Sequence, residues 1–350
     1  MIEAKAAAMT GAARMVAAAR SRPVDMTPVW YMRQAGSVVP AYRALRERHS
    51  VLEIARTPEL CAQATLAAAD AFAADAAVMF ADVLLPLGPM GVEFELASEG
   101  PIIANPIRSA ADVDRLRPLD PEADAAFVLD AIRLVRRSQG ESRAVVGIAG
   151  GPFTLAAYLV EGGAARDYVR TRAFLHADPV GFGRLLDRLA DATGAYLAAQ
   201  VRAGAHLVQL FDTHAAQVDP DTYAAVVAPR VRRVLDAVAG AAPSIHFAIH
   251  AGAILPAMAA AGGDVVGIDH RQSMAAARRV LGQDRPVQGN LDPARLLAGW
   301  DATRTGADAV LAAAGPVGHI FNLGHGVAPG TDPGLLRALT DHVHERSQRA

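Results

Sequence analysis

Lysine is almost absent from this 350-residue sequence. Among its 34 lysines and arginines, only Lys5 is a lysine. Schiff-base and pyridoxal-phosphate enzymes need a buried amine, and Walker-type nucleotide sites need a lysine in a glycine-rich loop. The sequence therefore argues against these classes. Its remaining cations are arginine and histidine, and arginine suits planar carboxylates because its guanidinium donates two parallel hydrogen bonds.

Cysteine, long apolar runs and net charge are also scarce. The single cysteine, Cys61, excludes a disulfide within the chain and is typical of a reducing cytoplasm. No apolar run reaches the ~18 residues that span a bilayer. The alanine-rich stretch 6–19 contains Arg14 and predicts a surface helix rather than a signal peptide. The net charge of −2 makes neither nucleic acid nor an anionic membrane an expected partner.

Eight short β-rich runs are present, and helical patterns separate them. Most are near-continuous apolar runs, as expected for parallel strands that are covered on both faces. Apolar residues make up 52% of the chain, which is enough for a large core. The predicted strands are 29–33, 76–82, 144–150, 206–212, 244–250, 265–269, 286–290 and 319–324. The pattern predicts an α/β fold, a (β/α)8 TIM barrel in which residues 1–350 form one domain.

An open doubly wound sheet is the alternative architecture. Against it, the G-x-G-x-x-G fingerprint of dinucleotide-binding folds is missing after the first predicted strand. The predicted helices include 124–137, 179–203, 219–239, 271–281 and 332–346. In the long connection 83–143, the segments VEFEL and GPIIANPI predict a β-hairpin. Uneven connections of this kind usually carry function in a barrel.

Polar residues stand at or just after the ends of most predicted strands. In this fold the carboxyl-terminal rim is where chemistry takes place. For Asp212, Asp269 and Asn290 we favour a structural role, as helix caps or partners of other rim residues. Read in chain order, the strand ends are Arg33, Asp82, Gly150, Asp212, His250, Asp269, Asn290 and, just past the last run, His325.

The stretch PVWYMRQAGSVVPAYRALR, residues 28–46, has a distinctive order of residues. An apolar strand stops on Arg33, and Arg43 and Arg46 follow at helical spacing. A cation at the end of a buried strand is costly unless an anion meets it. The stretch therefore predicts either an arm that binds an anion at the mouth of the barrel or an ion pair between Arg33 and a carboxylate elsewhere in the protein.

Other site chemistries find weaker support. His246 and His250 are predicted to share one strand face, which would allow a metal site, but Cys61 is remote and no H-E-x-x-H motif accompanies them. A serine hydrolase would need a G-x-S-x-G elbow, which is missing. His214 either hydrogen-bonds a ligand together with Thr213 or packs at the rim.

Tyr158 likewise has two interpretations. It is either a core residue or a rim tyrosine with a free hydroxyl beside Asp82. The sequence as a whole combines abundant arginine, a strand-end aspartate and no residue that would hold a cofactor. This combination predicts an anionic substrate that supplies its own electron sink.

These residues lie in segments that closely resemble the uroporphyrinogen decarboxylase family of the haem pathway. The similarity runs nearly end to end, and the order and spacing of the segments make it more specific than any single motif. The segments are PVWYMRQAG (28–36), FADVLLPLGPMG (80–91), GPIIANPI (100–107), GPFTLAAYLVEGG (151–163), QLFDTHA (209–215), QGNLDP (288–293) and FNLGHG (321–326). The resemblance implies a cytoplasmic (β/α)8 barrel, usually a homodimer, which uses no metal or organic cofactor.

The resemblance also implies a reaction. Uroporphyrinogen III becomes coproporphyrinogen III when its four acetate side chains lose CO2 and become methyl groups. Protonation of a pyrrole carbon next to the acetate gives an iminium-like ring, which accepts the electron pair that CO2 leaves behind. A second proton completes the methyl group. The protein must therefore protonate the ring, stabilise the cation and position the carboxylates.

Residue roles follow from the resemblance, position by position. Asp82 would lie under the macrocycle, accept hydrogen bonds from the pyrrole N–H groups and stabilise the cation. Arg33 would bind a carboxylate and take part in proton delivery, and Tyr158 would orient Asp82 or contact the reacting acetate. Thr213 would bond a propionate, and His325 another carboxylate. The implied substrate-binding set is Arg33, Gln34, Ala35, Gly36, Ser37, Asp82, Tyr158, Thr213 and His325.

The chain departs from the family pattern at three places, one of which is the segment 38–42, where the acidic residue that the family usually has after the proline is missing. Ser37 stands where the family has a second arginine, and His270 stands where related bacterial sequences usually have tryptophan. Because Ser37 cannot supply a cation, two alternatives stay open: a divergent paralogue that decarboxylates another pyrrole-like carboxylate, and a tetrapyrrole-binding protein with little activity. A cobalamin-linked methyltransferase of the same barrel superfamily would need an H-x-C zinc site, and Ala248 replaces the cysteine after His246.

Overall fold

A curled sheet of seven parallel strands lies at the centre of the computed structural model, which describes residues 8–34, 36, 38–97 and 100–349. Lys5, Ala35 and Ser37 lie outside these residues. The sheet order is β1-β4-β5-β6-β7-β8-β9, and β2 and β3 form a separate hairpin. The strands are β1 (Ala76–Val78), β2 (Phe94–Ala97), β3 (Gly100–Ile103), β4 (Ala144–Gly150), β5 (Leu207–Phe211), β6 (Ser244–Phe247), β7 (Val265–Gly267), β8 (Val287–Gln288) and β9 (His319–Ile320).

The segment that precedes Arg33 closes this sheet into a barrel. Val29 forms a parallel bridge with Phe321, just after β9, and the Phe321 N–H donates to the Pro28 carbonyl at 2.8 Å. On its other side, the Asp75 N–H, just before β1, donates to the Val29 carbonyl at 2.8 Å. The predicted (β/α)8 barrel is therefore confirmed. The predicted strand 29–33 is wrong in extent, because the backbone turns into the left-handed region at Arg33 (φ +57°).

Helices form the outer layer of the barrel. The predicted helix 179–203 matches the helix Pro179–Ala203, whereas predicted helix 219–239 is interrupted by a π-helical turn at Tyr223–Val227. The helices are α1 (Gly11–Ala19), α2 (Pro40–Arg46), α3 (Val51–Arg56), α4 (Pro58–Phe72), α5 (Ala110–Val113), α6 (Pro121–Asp124), α7 (Ala126–Gln139), α8 (Pro152–Glu161), α9 (Val169–Ala177), α10 (Pro179–Ala203), α11 (Pro220–Thr222), α12 (Ala228–Asp236), α13 (Leu255–Ala260), α14 (Met274–Leu281), α15 (Ala294–Leu297), α16 (Trp300–Ala314) and α17 (Pro333–Ser347). Within the described ranges, no helix is both long and apolar enough to cross a membrane.

Helix α1 is not the surface helix that the alanine-rich stretch predicts. It covers the amino-terminal end of the barrel, and its Ala12, Met15 and Ala18 side chains are buried against the interior. The Gly11 N–H donates to the Ser142 carbonyl at 2.9 Å, and a Cβ at Gly11 would lie 2.6 Å from that oxygen. Small residues are therefore needed here because the helix approaches the strands closely, which explains the alanine content without a surface location.

An ion network holds this end of the barrel together. Arg14 is buried and forms ion pairs with Asp25, at 2.7 Å, and with Asp75. Asp75 also accepts from the Val29 N–H at 2.8 Å, and the His344 ring nitrogen Nε2 lies 2.7 Å from its Oδ2. The network joins α1, the closing segment, β1 and α17. The Arg14 hydrogen bond is the main reason why the pKa of Asp25 falls to about 2, against the opposing effect of burial.

The predicted hairpin is confirmed at β2 and β3, where Phe94 pairs with Ile103 in antiparallel register. The hairpin and the segment after it dock onto the end of α8. The Ile103 N–H donates to the Gly162 carbonyl at 3.0 Å, and the Ile107 N–H donates to the Leu159 carbonyl at 3.0 Å. The hairpin and the segment after it therefore support α8, the helix that carries Tyr158 at the barrel mouth.

Candidate active site

Loops from several strands meet at the carboxyl-terminal end of the barrel. Asp82 follows β1, Tyr158 lies on α8 after β4, and Thr213 follows β5. Arg33 follows the closing segment and His325 follows β9. Asp82, Arg33 and Tyr158 are close enough that the charges of the first two act on the pKa of the third. The fold thus brings together residues that are far apart in the sequence.

Asp82 is a half-buried carboxylate with one oxygen engaged. The Leu84 N–H donates to its Oδ1 at 2.9 Å, and the Leu85 N–H donates to its backbone carbonyl at 3.2 Å, which begins a short 3-10 turn. No cation lies within 4.0 Å of the carboxylate among the described residues. Burial raises the pKa of Asp82, while the Leu84 N–H and the positive charge of Arg33 oppose that rise. This carboxylate can therefore accept hydrogen bonds or take up a proton at its second oxygen.

Arg33 is exposed at the mouth, and no described carboxylate lies within 4.0 Å of its guanidinium. The predicted alternative, an ion pair with a carboxylate elsewhere, is thus not found among the residues that the structure describes. A left-handed φ of +57° is unusual for a residue with a side chain and is typical of functional sites. A Cβ at Gly326 would lie 2.5 Å from the Arg33 Cδ. Glycine at position 326 therefore leaves room for the Arg33 side chain.

Tyr158 presents a half-buried hydroxyl to the same opening. Burial is the main cause of its raised pKa, Asp82 raises it further, and Arg33 opposes both. The phenol is therefore protonated at neutral pH. Its hydroxyl forms no hydrogen bond with another described residue, and it remains available as a donor to a ligand.

His214 supports Tyr158 from behind. The two rings meet edge to face at 5.0 Å between centroids, and the Tyr168 hydroxyl lies 2.8 Å from the His214 Nε2. The His214 N–H donates to the Thr154 Oγ1 at 3.0 Å. Burial lowers the pKa of His214 to about 4, so the imidazole is neutral at physiological pH. Of its two interpretations, packing at the rim agrees with these contacts.

Thr213 and His325 lie on opposite sides of the mouth. Thr213 is half-buried, and within the described part of the chain its hydroxyl has no hydrogen-bond partner. His325 is half-buried between Arg33 and His270, and its ring meets the His270 ring edge to face at 6.4 Å. Burial, followed by the positive charges of Arg33, His270 and Arg271, lowers the pKa of His325. Both side chains can bond an incoming anion.

The rest of the implied substrate-binding arm follows Arg33 directly. The Gln34 side chain is fully buried, where its Oε1 accepts from the Tyr31 N–H at 3.3 Å and its Nε2 donates to the Ala76 carbonyl at 3.1 Å. Any contact of Gln34 with a ligand is therefore left to its backbone. Gly36 is half-buried, and its N–H donates to the Gln34 carbonyl at 3.0 Å. Ala35 and Ser37 are outside the described residues.

Three strand-end residues have the structural roles that we favoured. Asp212 is buried and accepts from the Thr154 hydroxyl at 3.1 Å. Asp269 is buried and accepts from the backbone N–H groups of His250 and, at 2.7 Å, Arg271. Asn290 donates to the Asp269 carbonyl at 2.9 Å and to that of Gln272. These contacts stabilise the loops that form the rim.

The two histidines of the suggested metal site are separated. Strand β6 ends at Phe247, so the prediction that His246 and His250 share one strand face is wrong. His246 is fully buried, with its Nε2 3.7 Å from the Asp212 Oδ2, whereas His250 is exposed and left-handed (φ +58°). Within residues 8–34, 36, 38–97 and 100–349, no group of three or more histidine, cysteine, aspartate or glutamate side chains is arranged to hold a metal.

Sequence reasoning missed two features of this end of the barrel. Tyr168, left-handed at φ +46°, holds His214, and nothing in the surrounding sequence distinguishes it as a rim residue. Arg271 is exposed beside His270 at the end of the β7 loop, where the predicted strand end at Asp269 could have indicated it.

The chain is similar to known proteins along almost its whole length. A family model described as uroporphyrinogen decarboxylase (URO-D) matches residues 10–346. The uroporphyrinogen decarboxylase of Sorangium cellulosum is 45% identical over 334 residues, which cover 95% of each protein. That of Streptomyces coelicolor is 46% identical and covers 95% of this chain and 94% of the relative.

A solved structure of a methyltransferase from Methanosarcina mazei has the same fold. The two structures superpose with a TM-score of 0.79 at 22% identity, covering 97% of this chain and 99% of the other. At this identity the likeness concerns the fold alone.

Proposed function

Because this chain belongs to the uroporphyrinogen decarboxylase family, we propose that it is a carboxy-lyase that converts uroporphyrinogen III to coproporphyrinogen III in haem biosynthesis. One observation carries the proposal beyond family membership. Asp82 and Arg33 reach one end of the barrel from separate loops and Tyr158 reaches it from α8, and neither charge is neutralised by an ion pair with a described residue. An anionic substrate with N–H donors at its centre would complement this arrangement.

The substrate ring serves as the electron acceptor. A proton adds to the pyrrole α-carbon next to the carbon that bears the acetate arm, and the ring becomes an iminium-like cation whose C=N bond is conjugated with the acetate-bearing carbon. The bond between the methylene and the carboxylate then breaks, CO2 leaves, and its electron pair neutralises the ring. A second proton converts the methylene to a methyl group, and loss of the first proton restores the pyrrole. The net change at each arm is the replacement of CO2 by one proton, with no external oxidant or reductant.

Asp82 would stabilise the cationic stage of this sequence. Its Oδ1 is held by the Leu84 N–H at 2.9 Å, so the carboxylate is oriented before the substrate arrives. A negative charge that is held in place in a partly water-excluded site stabilises a developing cation more than bulk water does. Tyr158 would donate its free hydroxyl to the reacting acetate.

The remaining members of the proposed site would bind the acid side chains. Arg33 would pair with a carboxylate, for which its exposed guanidinium has no competing partner among the described residues. Thr213 would bond a propionate and His325 another carboxylate. Backbone groups of Gln34 and Gly36 would line the same arm. A charge-assisted hydrogen bond of this type contributes about 1.5–3 kcal/mol.

We propose further that the enzyme is a cytoplasmic homodimer, as its family resemblance implies. The single cysteine supports a reducing compartment. Sedimentation equilibrium of the purified protein would measure its mass against the 36.5 kDa of one chain. A mass that stays at one chain across the micromolar range would contradict the dimer.

Product analysis tests the activity itself. The enzyme is incubated with uroporphyrinogen III under anaerobic, reducing conditions, and the oxidised products are separated by their number of carboxylates. We expect coproporphyrinogen III to accumulate. Tight binding of the substrate without CO2 release would instead indicate a tetrapyrrole-binding protein. Turnover of a smaller pyrrole carboxylate alone would indicate a divergent paralogue.

A further inference from the structure

Four side chains that can carry positive charge form an arc on one side of the barrel mouth. Arg33 comes from the closing segment, His325 from the loop after β9, and His270 and Arg271 from the loop after β7. The His325 ring lies 6.4 Å from the His270 ring between centroids, and the neighbouring Gly326 lies against the Arg33 side chain. Arg271 is near enough that its positive charge helps to lower the pKa of His325. The sheet order puts β7 halfway around the barrel from β1, the strand that leads to Asp82.

Two glycines allow the arc to close around His325. A Cβ at Gly324 would lie 2.1 Å from the His270 backbone nitrogen, and a Cβ at Gly326 would lie 2.5 Å from the Arg33 Cδ. Either methyl group would overlap atoms of its neighbour. The Gly-His-Gly sequence thus lets the β7 loop approach His325 on one side and Arg33 approach it on the other.

His270 is oriented by its backbone contacts. Its N–H donates to the Gly324 carbonyl at 3.3 Å, and its ring Nδ1 lies 3.2 Å from the same oxygen. A carbonyl only accepts hydrogen bonds, so the Nδ1 carries the proton in this contact. The Nε2 is thereby directed away from Gly324, and the half-buried ring presents it as the remaining polar atom.

The arc is not neutralised from within. The carboxylate next to the arc in sequence is that of Asp269. It is buried and accepts hydrogen bonds from the backbone N–H groups of His250 and Arg271. The Arg271 guanidinium is exposed, and it forms no ion pair or hydrogen bond with any residue that the structure describes. The two exposed guanidinium groups, Arg33 and Arg271, against the one carboxylate of Asp269, therefore give this side of the mouth a net positive charge.

We propose that His270 and Arg271 form a further carboxylate-binding subsite, which holds an acid side chain of the substrate on the side of the mouth opposite Asp82. This rests on the proposed function, because that substrate carries eight carboxylates distributed around its ring. Arg33 and His325 cannot serve all of them, and Ser37 supplies no cation. An arginine beside a histidine can hold one carboxylate through several donors.

A matched pair of double variants tests the subsite. In the first, His270→Gln and Arg271→Gln remove it. In the control, His176→Gln and Arg279→Gln remove the same side-chain types from exposed positions on α9 and α14. Both are compared with the unmodified enzyme in steady-state kinetics with uroporphyrinogen III. In the first variant we expect KM to rise about tenfold or more, while kcat stays within about twofold of that of the unmodified enzyme. The reason is that the lost contact would stabilise the bound substrate and the transition state equally. The control should match the unmodified enzyme.

Equilibrium binding separates this inference from the proposed activity. The probe is oxidised uroporphyrin III, which keeps the eight carboxylates and is not decarboxylated, and its binding is followed by quenching of protein fluorescence. The subsite variant should bind it about tenfold more weakly than the control variant does. Weaker binding in an enzyme that releases no CO2 would support the subsite and overturn the activity. Equal binding by both variants would overturn the subsite, whatever the turnover.

If the double variant does not fold, single variants still test the subsite. Arg271→Gln alone leaves the His270 contacts with Gly324 intact and should still weaken porphyrin binding. Arg271→Lys keeps the charge but not the two parallel donors, so its affinity should lie between that of Arg271→Gln and that of the unmodified enzyme. If Arg271→Gln binds like the unmodified enzyme while it folds normally, the subsite is rejected.

Discussion

At the amino-terminal end of the barrel Arg14 and Asp75 are in contact, whereas at the carboxyl-terminal end Arg33 and Asp82 face one opening without forming an ion pair. The two ends differ in how completely their charges are paired. Arg14 donates to Asp25, to Asp75 and to the Met9 carbonyl. At the mouth, Asp82 has a backbone N–H as its hydrogen-bond donor among the described residues.

This difference separates stability from function along one barrel axis. A buried charge that loses its partner is strongly destabilising. The ion network of Arg14, Asp25 and Asp75 at the amino-terminal end is therefore expected to hold α1 and the closing segment in place. Charges at the mouth that have no ion-pair partner among the described residues contribute little to folding, but they are available to a ligand. Left-handed residues other than glycine occur at both ends: Arg33, Tyr168 and His250 lie at the mouth, and Ser21 and Ala73 lie at the amino-terminal end.

The largest expected effect comes from Arg14→Ala. It leaves Asp25 and Asp75 without their guanidinium, and the free energy of unfolding should fall by about 3–5 kcal/mol in urea titrations. The matched change at the mouth, Arg33→Ala, should alter that free energy by no more than about 0.5 kcal/mol. Equal losses from the two variants would contradict the division between the ends.

Asp82→Asn should act on turnover instead. The amide oxygen can still accept from the Leu84 N–H, so the fold is retained, but the charge that stabilises the cationic ring is lost. We expect kcat to fall about 10²–10³-fold, as is typical when an electrostatic stabiliser is removed. Rates would be measured by product analysis and the fold by circular dichroism. A rate near that of the unmodified enzyme would refute the assigned role.

Ionisation of the carboxylates should change the stability of the fold with opposite sign at the two ends, because it stabilises the fold at Asp25 and opposes folding at Asp82. The pKa of Asp25 is about 2 in the folded protein against a usual 3.8, so its contribution to stability is present above pH 3.8 and is lost as the pH falls toward 2. Asp25→Asn should therefore cost about 2 kcal/mol at pH 7 and little at pH 2.

At the mouth, burial raises the pKa of Asp82, so its ionisation above the usual value opposes folding. Asp82→Asn should thus leave stability unchanged or increase it at pH 7. Urea unfolding at several pH values measures both variants. A loss of stability at neutral pH in both would contradict the opposite signs.

The smallest effect is expected from Tyr158→Phe. It removes a hydroxyl that has no hydrogen-bond partner among the described residues, so the free energy of unfolding should stay within about 0.5 kcal/mol. If that hydroxyl donates to the reacting acetate, kcat should fall about 2- to 12-fold, which corresponds to about 0.5–1.5 kcal/mol. Phe153→Leu, a core change on the same helix, is the control that should lower stability but not kcat.

Several parts of the fold were predictable because local pattern and tertiary environment agree. The run at β4 is apolar throughout and buried throughout, and the helix at Pro179–Ala203 begins and ends where its proline and glycine indicate. Asp82 was predictable as a rim residue because it follows a buried strand. The roles of Asp269 and Asn290 followed from the same position rule.

Other parts were not predictable from local pattern. An alanine-rich stretch has the same composition whether it lies on a surface or is pressed against strand ends, so α1 was misplaced. The prediction that His246 and His250 share a strand face was wrong because the strand ends at Phe247. Side chains alternate between the two faces only while the backbone stays extended. Ser37, the main departure from the family pattern, lies outside the described residues.

The sequence by itself determined the barrel, the family and the placement of Arg33, Asp82 and His325 after barrel strands, because apolar runs and motif order are local properties of the chain. Only the tertiary structure decided which charges meet. Arg14 forms an ion pair with Asp75. Arg33 packs against Gly326 and forms no ion pair with a described residue. The His270 ring packs against the His325 ring, beside Gly324. These contacts join loops that are distant in sequence, and their distances depend on how the strands close into a barrel.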